Sequence, residues 1–189
     1  MKRIVVFASG SGTNAENIIK YFATTKMATV THVFTNNPNA KVIDKAKNNQ
    51  VLTTIFSKED LFEGKVTLQI NEIKPDLIVL AGFLLKFPQN IIEAYPDKII
   101  NIHPALLPKY GGKGMYGMHI HRAVVDNKEI ETGITIHYVN ENYDEGNIIF
   151  QKKVALLAND TPEDVAAKIH ELEQEHFPVI IENWLTTNR

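Results

Sequence analysis

A chain of 189 residues, 44% apolar and 22% charged, is long enough for one full-sized core and ordinary for a globular protein. Its net charge of −2 gives no electrostatic case for nucleic acid or a membrane as main partner, and the absence of cysteine removes disulfides and thiolate metal sites. Small-molecule substrates are expected instead, with a monomer or homodimer as the working state. The longest apolar run, Leu77 to Leu85, is too short to span a bilayer. The N-terminus reaches a glycine turn too early for a signal peptide, so the cytoplasm is the expected location.

In chain order, Ile4 to Ala8 is a continuous apolar run, as expected of a strand buried on both faces. A glycine loop leads to a helix over Ala15 to Phe22, a strand over Thr29 to Thr35, a helix over Ala40 to Asn49 and a strand over Leu52 to Phe56. Lys58 to Ile73 has helical spacing, although Gly64 weakens its middle. Leu77 to Ala81 is a fourth strand, and Pro88 suits the first turn of a helix that packs Ile91, Ile92 and Tyr95 inward. A fifth strand ends at His103. Lys109 to Met118 holds four glycines and reads as loop, followed by a short helix over Ile120 to Asn127. Thr132 to Val139 alternates, with Ile134, Ile136 and Tyr138 on one side, and Asn147 to Val154 returns antiparallel to it. Thr161-Pro162-Glu163-Asp164 is a helix start, with Thr as cap and acids in the first turn, and that helix runs to about Trp184. The pattern predicts an α/β fold: a mostly parallel, doubly wound, Rossmann-like sheet with an antiparallel C-terminal hairpin and a long C-terminal helix.

Three stretches carry chemistry. In Ile100-Asn101-Ile102-His103-Pro104, strand alternation points Asn101 and His103 the same way, and Pro104 ends the strand there. An amide and an imidazole at the carboxyl end of a strand lie where open α/β sheets bind ligands. Second, Gly10-Ser11-Gly12-Thr13-Asn14-Ala15 joins strand one to helix one, where glycines admit a phosphate to the helix N-terminus. A dinucleotide site also wants an acid at the end of strand two, and this chain has Thr35-Asn36-Asn37-Pro38. NAD is therefore disfavoured, and a single phosphate group is the expected ligand. Third, Asp144 in the turn before Gly146 is placed to orient an imidazole or a water. His119 and His121 have metal-ligand spacing but no partners to complete a set, so no metal is expected. His32 and His137 are read as packed strand residues.

Ser9-Gly10-Ser11-Gly12-Thr13-Asn14, Leu80-Ala81-Gly82-Phe83-Leu84, Asn101-Ile102-His103-Pro104-Ala105-Leu106-Leu107-Pro108 and Tyr143-Asp144-Glu145-Gly146, in this order, resemble the folate-dependent formyltransferase family. The resemblance covers essentially the whole chain. It implies one formyltransferase domain over 1–189, phosphoribosyl-binding over about 1–98 and catalytic and folate-binding over about 99–189. The implied activity is direct transfer of a formyl group from 10-formyltetrahydrofolate to the amine of glycinamide ribonucleotide, in purine biosynthesis. Asn101 and protonated His103 would hold the oxyanion, with Asp144 raising the His103 pKa. Gly12, Thr13 and Asn14 would take the ribonucleotide phosphate, and Glu175 its sugar. Lys65, Leu84, Leu85, Lys86, Phe87 and Asn101 would line the folate site, and the glycine-rich 110–117 loop would be a mobile lid. Two rivals remain from the sequence: a formyltetrahydrofolate hydrolase, although its usual N-terminal domain has no room before a strand at residue 3, and a non-catalytic phosphoribosyl-binding module. The C-terminal nucleic-acid-binding domain of a methionyl-tRNA formyltransferase is not expected either.

Overall fold

A computed structural model describes residues 1–188. Its elements are β1 (Lys2–Phe7), α1 (Thr13–Thr25), β2 (Ala28–Thr35), α2 (Val42–Asn48), β3 (Leu52–Ile55), α3 (Lys58–Phe62), α4 (Lys65–Ile73), β4 (Leu77–Leu80), α5 (Gln89–Ala94), β5 (Ile99–His103), α6 (Met118–Asp126), β6 (Glu131–Tyr138), β7 (Ile148–Ala155) and α7 (Pro162–Thr187). The strands form one sheet in the order β3-β2-β1-β4-β5-β6-β7. The first five are parallel, β6 runs antiparallel to β5, and β7 antiparallel to β6. The mostly parallel, doubly wound fold with its antiparallel C-terminal strands and long last helix is therefore as the sequence indicates.

The apolar runs divide between two cores because strand side chains alternate. From β1, Ile4, Val6 and Ala8 join α1, α6 and α7 on one face; Val5 and Phe7 join Leu61, Ile70 and Ile91 on the other. The expected helix over Lys58 to Ile73 is two helices. Gly64 takes φ +88 between them, a left-handed conformation that glycine adopts without steric cost, and caps α4. Pro88 is the cap residue of α5, extended at ψ 145, and not a first-turn residue. On α7, Thr161 and Asp164 form a reciprocal capping box, with Asp164 accepting from the Thr161 backbone N–H at 2.9 Å.

The chain leaves β1 for β2 on one side and reaches β4 on the other, so the sheet reverses its winding between β1 and β4. That switch point opens a crevice at the carboxyl ends of the strands, where α/β folds bind ligands. The loops after β1, β4 and β5 all end there.

Candidate active site

A cavity of about 680 Å³ fills that crevice. One wall is the glycine loop. Gly12, at φ +68, serves as the N-cap of α1, and its carbonyl accepts from Glu16 N–H at 2.9 Å. The first-turn N–H groups of α1 have no intrahelical partner, an arrangement suited to an anion. Gly12, Thr13 and Asn14 all line the cavity. Only glycine fits at position 12: a Cβ there would lie 2.4 Å from Val42 Cγ2 and 2.7 Å from the Val42 backbone. We expect Gly12→Ala to cost about 2–5 kcal/mol, from left-handed strain plus overpacking, and to weaken binding of the phosphate-bearing ligand. Denaturation curves and a ribonucleotide titration check both; unchanged stability would mean that α2 yields freely.

Asn101 and His103 face the cavity from the end of β5, as alternation requires. The turn that follows is fixed from β6. Thr135 Oγ1 donates to Ala105 O at 2.7 Å and accepts from Leu107 N–H at 3.0 Å. His103 Nε2 lies 2.8 Å from the Tyr110 carbonyl, which can only accept, so Nε2 carries a proton. Nδ1 is left as the nitrogen that exchanges one, 3.5 Å from Asp144 Oδ1. Asp144 sits at φ +58 in the 140–147 turn, and its Oδ2 accepts from Gly112 N–H at 2.9 Å.

The electrostatics correct one expectation. Asp144 and the Tyr110 carbonyl do raise the His103 pKa, but burial outweighs them and holds it below the ordinary imidazole value. That direction favours the neutral ring over the expected protonated one. Burial would push Asp144 up, yet His137, His103 and the Gly112 N–H together hold its carboxyl below the usual range.

His137 is a residue that the sequence reading set aside as packing. It pairs with Asn101 across β5 and β6, and its ring is buried beside Asp144, with Nε2 3.6 Å from Oδ1. Its Nδ1 is 2.8 Å from the Tyr138 carbonyl and must donate there, leaving Nε2 to accept from Asn101 Nδ2 at 3.1 Å. That bond fixes which end of the Asn101 amide is the nitrogen and leaves its second N–H for the cavity. The signal was available: β6 alternation puts Thr135 and His137 on one face, and an antiparallel β5–β6 register sets that face beside Asn101.

The far wall comes from α7, and it is Glu173 that reaches it, not Glu175. Glu175 is 72% exposed and does not line the cavity. Glu173 lines it, and Glu173 Oε2 accepts from Asn14 Nδ2 at 2.9 Å while Gln174 Nε2 donates to Asn14 Oδ1 at 2.8 Å. Burial raises Glu173 to about 7. Of the expected folate contacts, Leu84 lines the main cavity, and Leu85, Lys86 and Phe87 line a recess of about 60 Å³ that adjoins it at Phe83, Asn101 and Asp144. Lys65 lines neither. It is the first residue of α4, exposed and bonded to Asp60 at 2.7 Å.

Residues 2–181 match the formyl transferase family. The chain belongs to that family. It is 36% identical to the chloroplastic phosphoribosylglycinamide formyltransferase of Arabidopsis thaliana, over 93% of this chain and 62% of that protein. It is 34% identical to phosphoribosylglycinamide formyltransferase of Bacillus subtilis, over 100% of this chain and 97% of the relative. The chain thus spans about three-fifths of the plant relatives' length and nearly all of the bacterial one. Among solved structures, phosphoribosylglycinamide formyltransferase from Bacillus Halodurans superposes with a TM-score of 0.89 at 33% identity, covering 100% of this chain and 97% of that one.

Proposed function

We propose that this chain transfers a formyl group from 10-formyltetrahydrofolate to the amine of glycinamide ribonucleotide. The observation that carries the reading is one continuous cavity. It joins a helix N-terminus suited to phosphate, an Asn–His–Asp centre around the buried His103, and the apolar wall of Ala81, Phe83 and Leu84. Gly12, Thr13 and Asn14 would hold the phosphate, and Glu173 the sugar hydroxyls. The Phe83–Leu84 wall and the adjoining recess suit a flat heterocycle, with open Asn101 and backbone groups to orient it. The recess, about 60 Å³, opens beside that wall and is bordered by the 140–144 turn.

In this reading the amine attacks the formyl carbon, and the carbonyl oxygen becomes an oxyanion. Asn101 donates its free N–H to that oxygen, pre-aimed by His137. Neutral His103 takes a proton from the attacking amine at Nδ1. The resulting imidazolium faces Asp144, pairs with the oxyanion, and then gives the proton to the departing folate nitrogen. The carbon–nitrogen bond to folate breaks as the new formamide forms, so protons and charge balance without a metal or redox partner. Folate carries the one-carbon unit, and the protein supplies alignment and electrostatics.

The test is absorbance of the deformylated folate on mixing protein and 10-formyltetrahydrofolate, with and without glycinamide ribonucleotide. Deformylation that requires the ribonucleotide supports transfer. Deformylation without it would make the chain a hydrolase, and ribonucleotide binding without turnover would leave a binding module.

A further inference from the structure

Strand two ends in Thr35-Asn36-Asn37, where a dinucleotide fold keeps its ribose acid, and the structure gives Asn36 a different task. Its side chain turns inward to Ser9, which lies two residues past β1 and is 6% exposed. Ser9 Oγ donates to Asn36 Oδ1 at 2.6 Å and accepts from Leu84 N–H at 3.1 Å. With Asn36 presenting Oδ1, the hydroxyl donates to it and keeps its lone pairs for the Leu84 N–H. Ser9 N–H donates to Gly82 O at 3.0 Å, and Asn37 Nδ2 donates to Ser9 O at 3.3 Å. One buried residue therefore ties the β1 loop to the loops after β2 and β4 through four hydrogen bonds.

The β1 and β4 loops form two walls of the cavity. The glycine loop begins at Gly10, one residue beyond Ser9, and the apolar wall includes Gly82, Phe83 and Leu84. We propose that Ser9 and Asn36 are positioning residues, an inward-facing clamp that sets the spacing between the phosphate-holding loop and the heterocycle-holding wall. The proposal rests on the transfer reading above, since only a two-substrate reaction needs that spacing. Reacting atoms must meet within about 3–3.5 Å, and a misplacement of about 1 Å costs on the order of 10²-fold in rate. Neither residue touches the reacting atoms. Their loss should lower kcat while leaving each loop able to bind its own ligand.

The experiment compares the unaltered protein with Ser9→Ala, Asn36→Ala, Asn36→Asp and the double alanine variant, reading kcat, the binding of each substrate alone, and exchange of the Leu84 amide. We expect Ser9→Ala to lower kcat about 10–100-fold, to shift either binary affinity by less than about threefold, and to speed Leu84 exchange. Asn36→Ala should do the same more weakly, Asn36→Asp should restore kcat because it keeps the acceptor, and the double variant should lose no more than Ser9→Ala alone. Losses that multiply in the double variant, or unchanged kcat with faster Leu84 exchange, would overturn the clamp and leave a purely structural contact. Absence of formyl transfer by the unaltered protein would instead overturn the function on which the clamp rests, and that control is read separately.

Discussion

His103→Ala is expected to lower kcat/KM by about 10²–10⁴-fold, the range for removing a group that moves a proton in the transition state. The case rests on geometry. The Tyr110 carbonyl holds Nε2, so Nδ1 is the ring nitrogen left to exchange a proton; it lies 3.5 Å from Asp144 Oδ1, and the residue lines the cavity. The pH dependence follows from the direction of the shift. Burial keeps His103 below the ordinary imidazole value, so its neutral form persists to lower pH than that of a solvated histidine. Activity should hold across neutral pH and fall only on the acid side of the usual histidine range. Asp144→Asn removes the charge that favours the imidazolium. It should move that acid limb to still lower pH while lowering kcat, because the protonated stage loses its counter-charge. An acid limb that moves upward in Asp144→Asn would contradict these roles. Stability runs in the same sense. A buried imidazole that resists protonation contributes fully above about pH 6.5, its unfolded value, and that contribution is lost as pH falls toward the folded value.

The parts of this fold legible in the sequence are those fixed by local patterns. Buried parallel strands such as Ile4 to Ala8 and Leu77 to Ala81 announce themselves as apolar runs, and Thr161 to Asp164 carries its own cap. Asn101, His103 and Asp144 were legible for the same reason, since one strand end and one Asp-Gly-type turn place them. What the sequence hid depends on register between distant elements. His137 reads as an ordinary alternating residue until β6 is paired against β5. Glu173 and Glu175 are both acids on one helix; two residues turn a helix by about 200°, so only the packing of α7 on α1 decides which faces the cavity. Gly64 shows the opposite limit. Its spacing fits a helix, but the αL conformation that it permits breaks the helix in two. The charge state of His103 was illegible because burial, and not the neighbour visible in the motif, is its largest influence.

Glu173→Gln should make the protein more stable and a poorer enzyme at the same time. The carboxyl is 14% exposed, and burial raises it from 4.5 to about 7. A raised acid favours the folded state in its protonated form, so its stabilisation is present below the unfolded value of 4.5 and lost as pH rises through about 7. At pH 8 the buried charge costs on the order of 3 kcal/mol. Glutamine has nearly the same shape, still accepts from Asn14 Nδ2, and carries no charge at any pH. The variant should therefore gain about 2–3 kcal/mol over the parent at pH 8 and almost nothing at pH 4.5, measured by chemical denaturation. Binding should move the other way. An ionised carboxylate offers two acceptor oxygens to sugar hydroxyls, and hydrogen bonds to a charged group contribute about 1.5–3 kcal/mol. The ribonucleotide KM should rise about 10–100-fold in Glu173→Gln. In the parent that KM should fall as pH rises through about 7, and in the variant this dependence should flatten. A variant that gains no stability at pH 8 would show that the carboxylate is not penalised there. One that gains stability with an unchanged KM would place the sugar elsewhere. If both effects appear, the fold carries a destabilising charge at this wall because the ligand needs it.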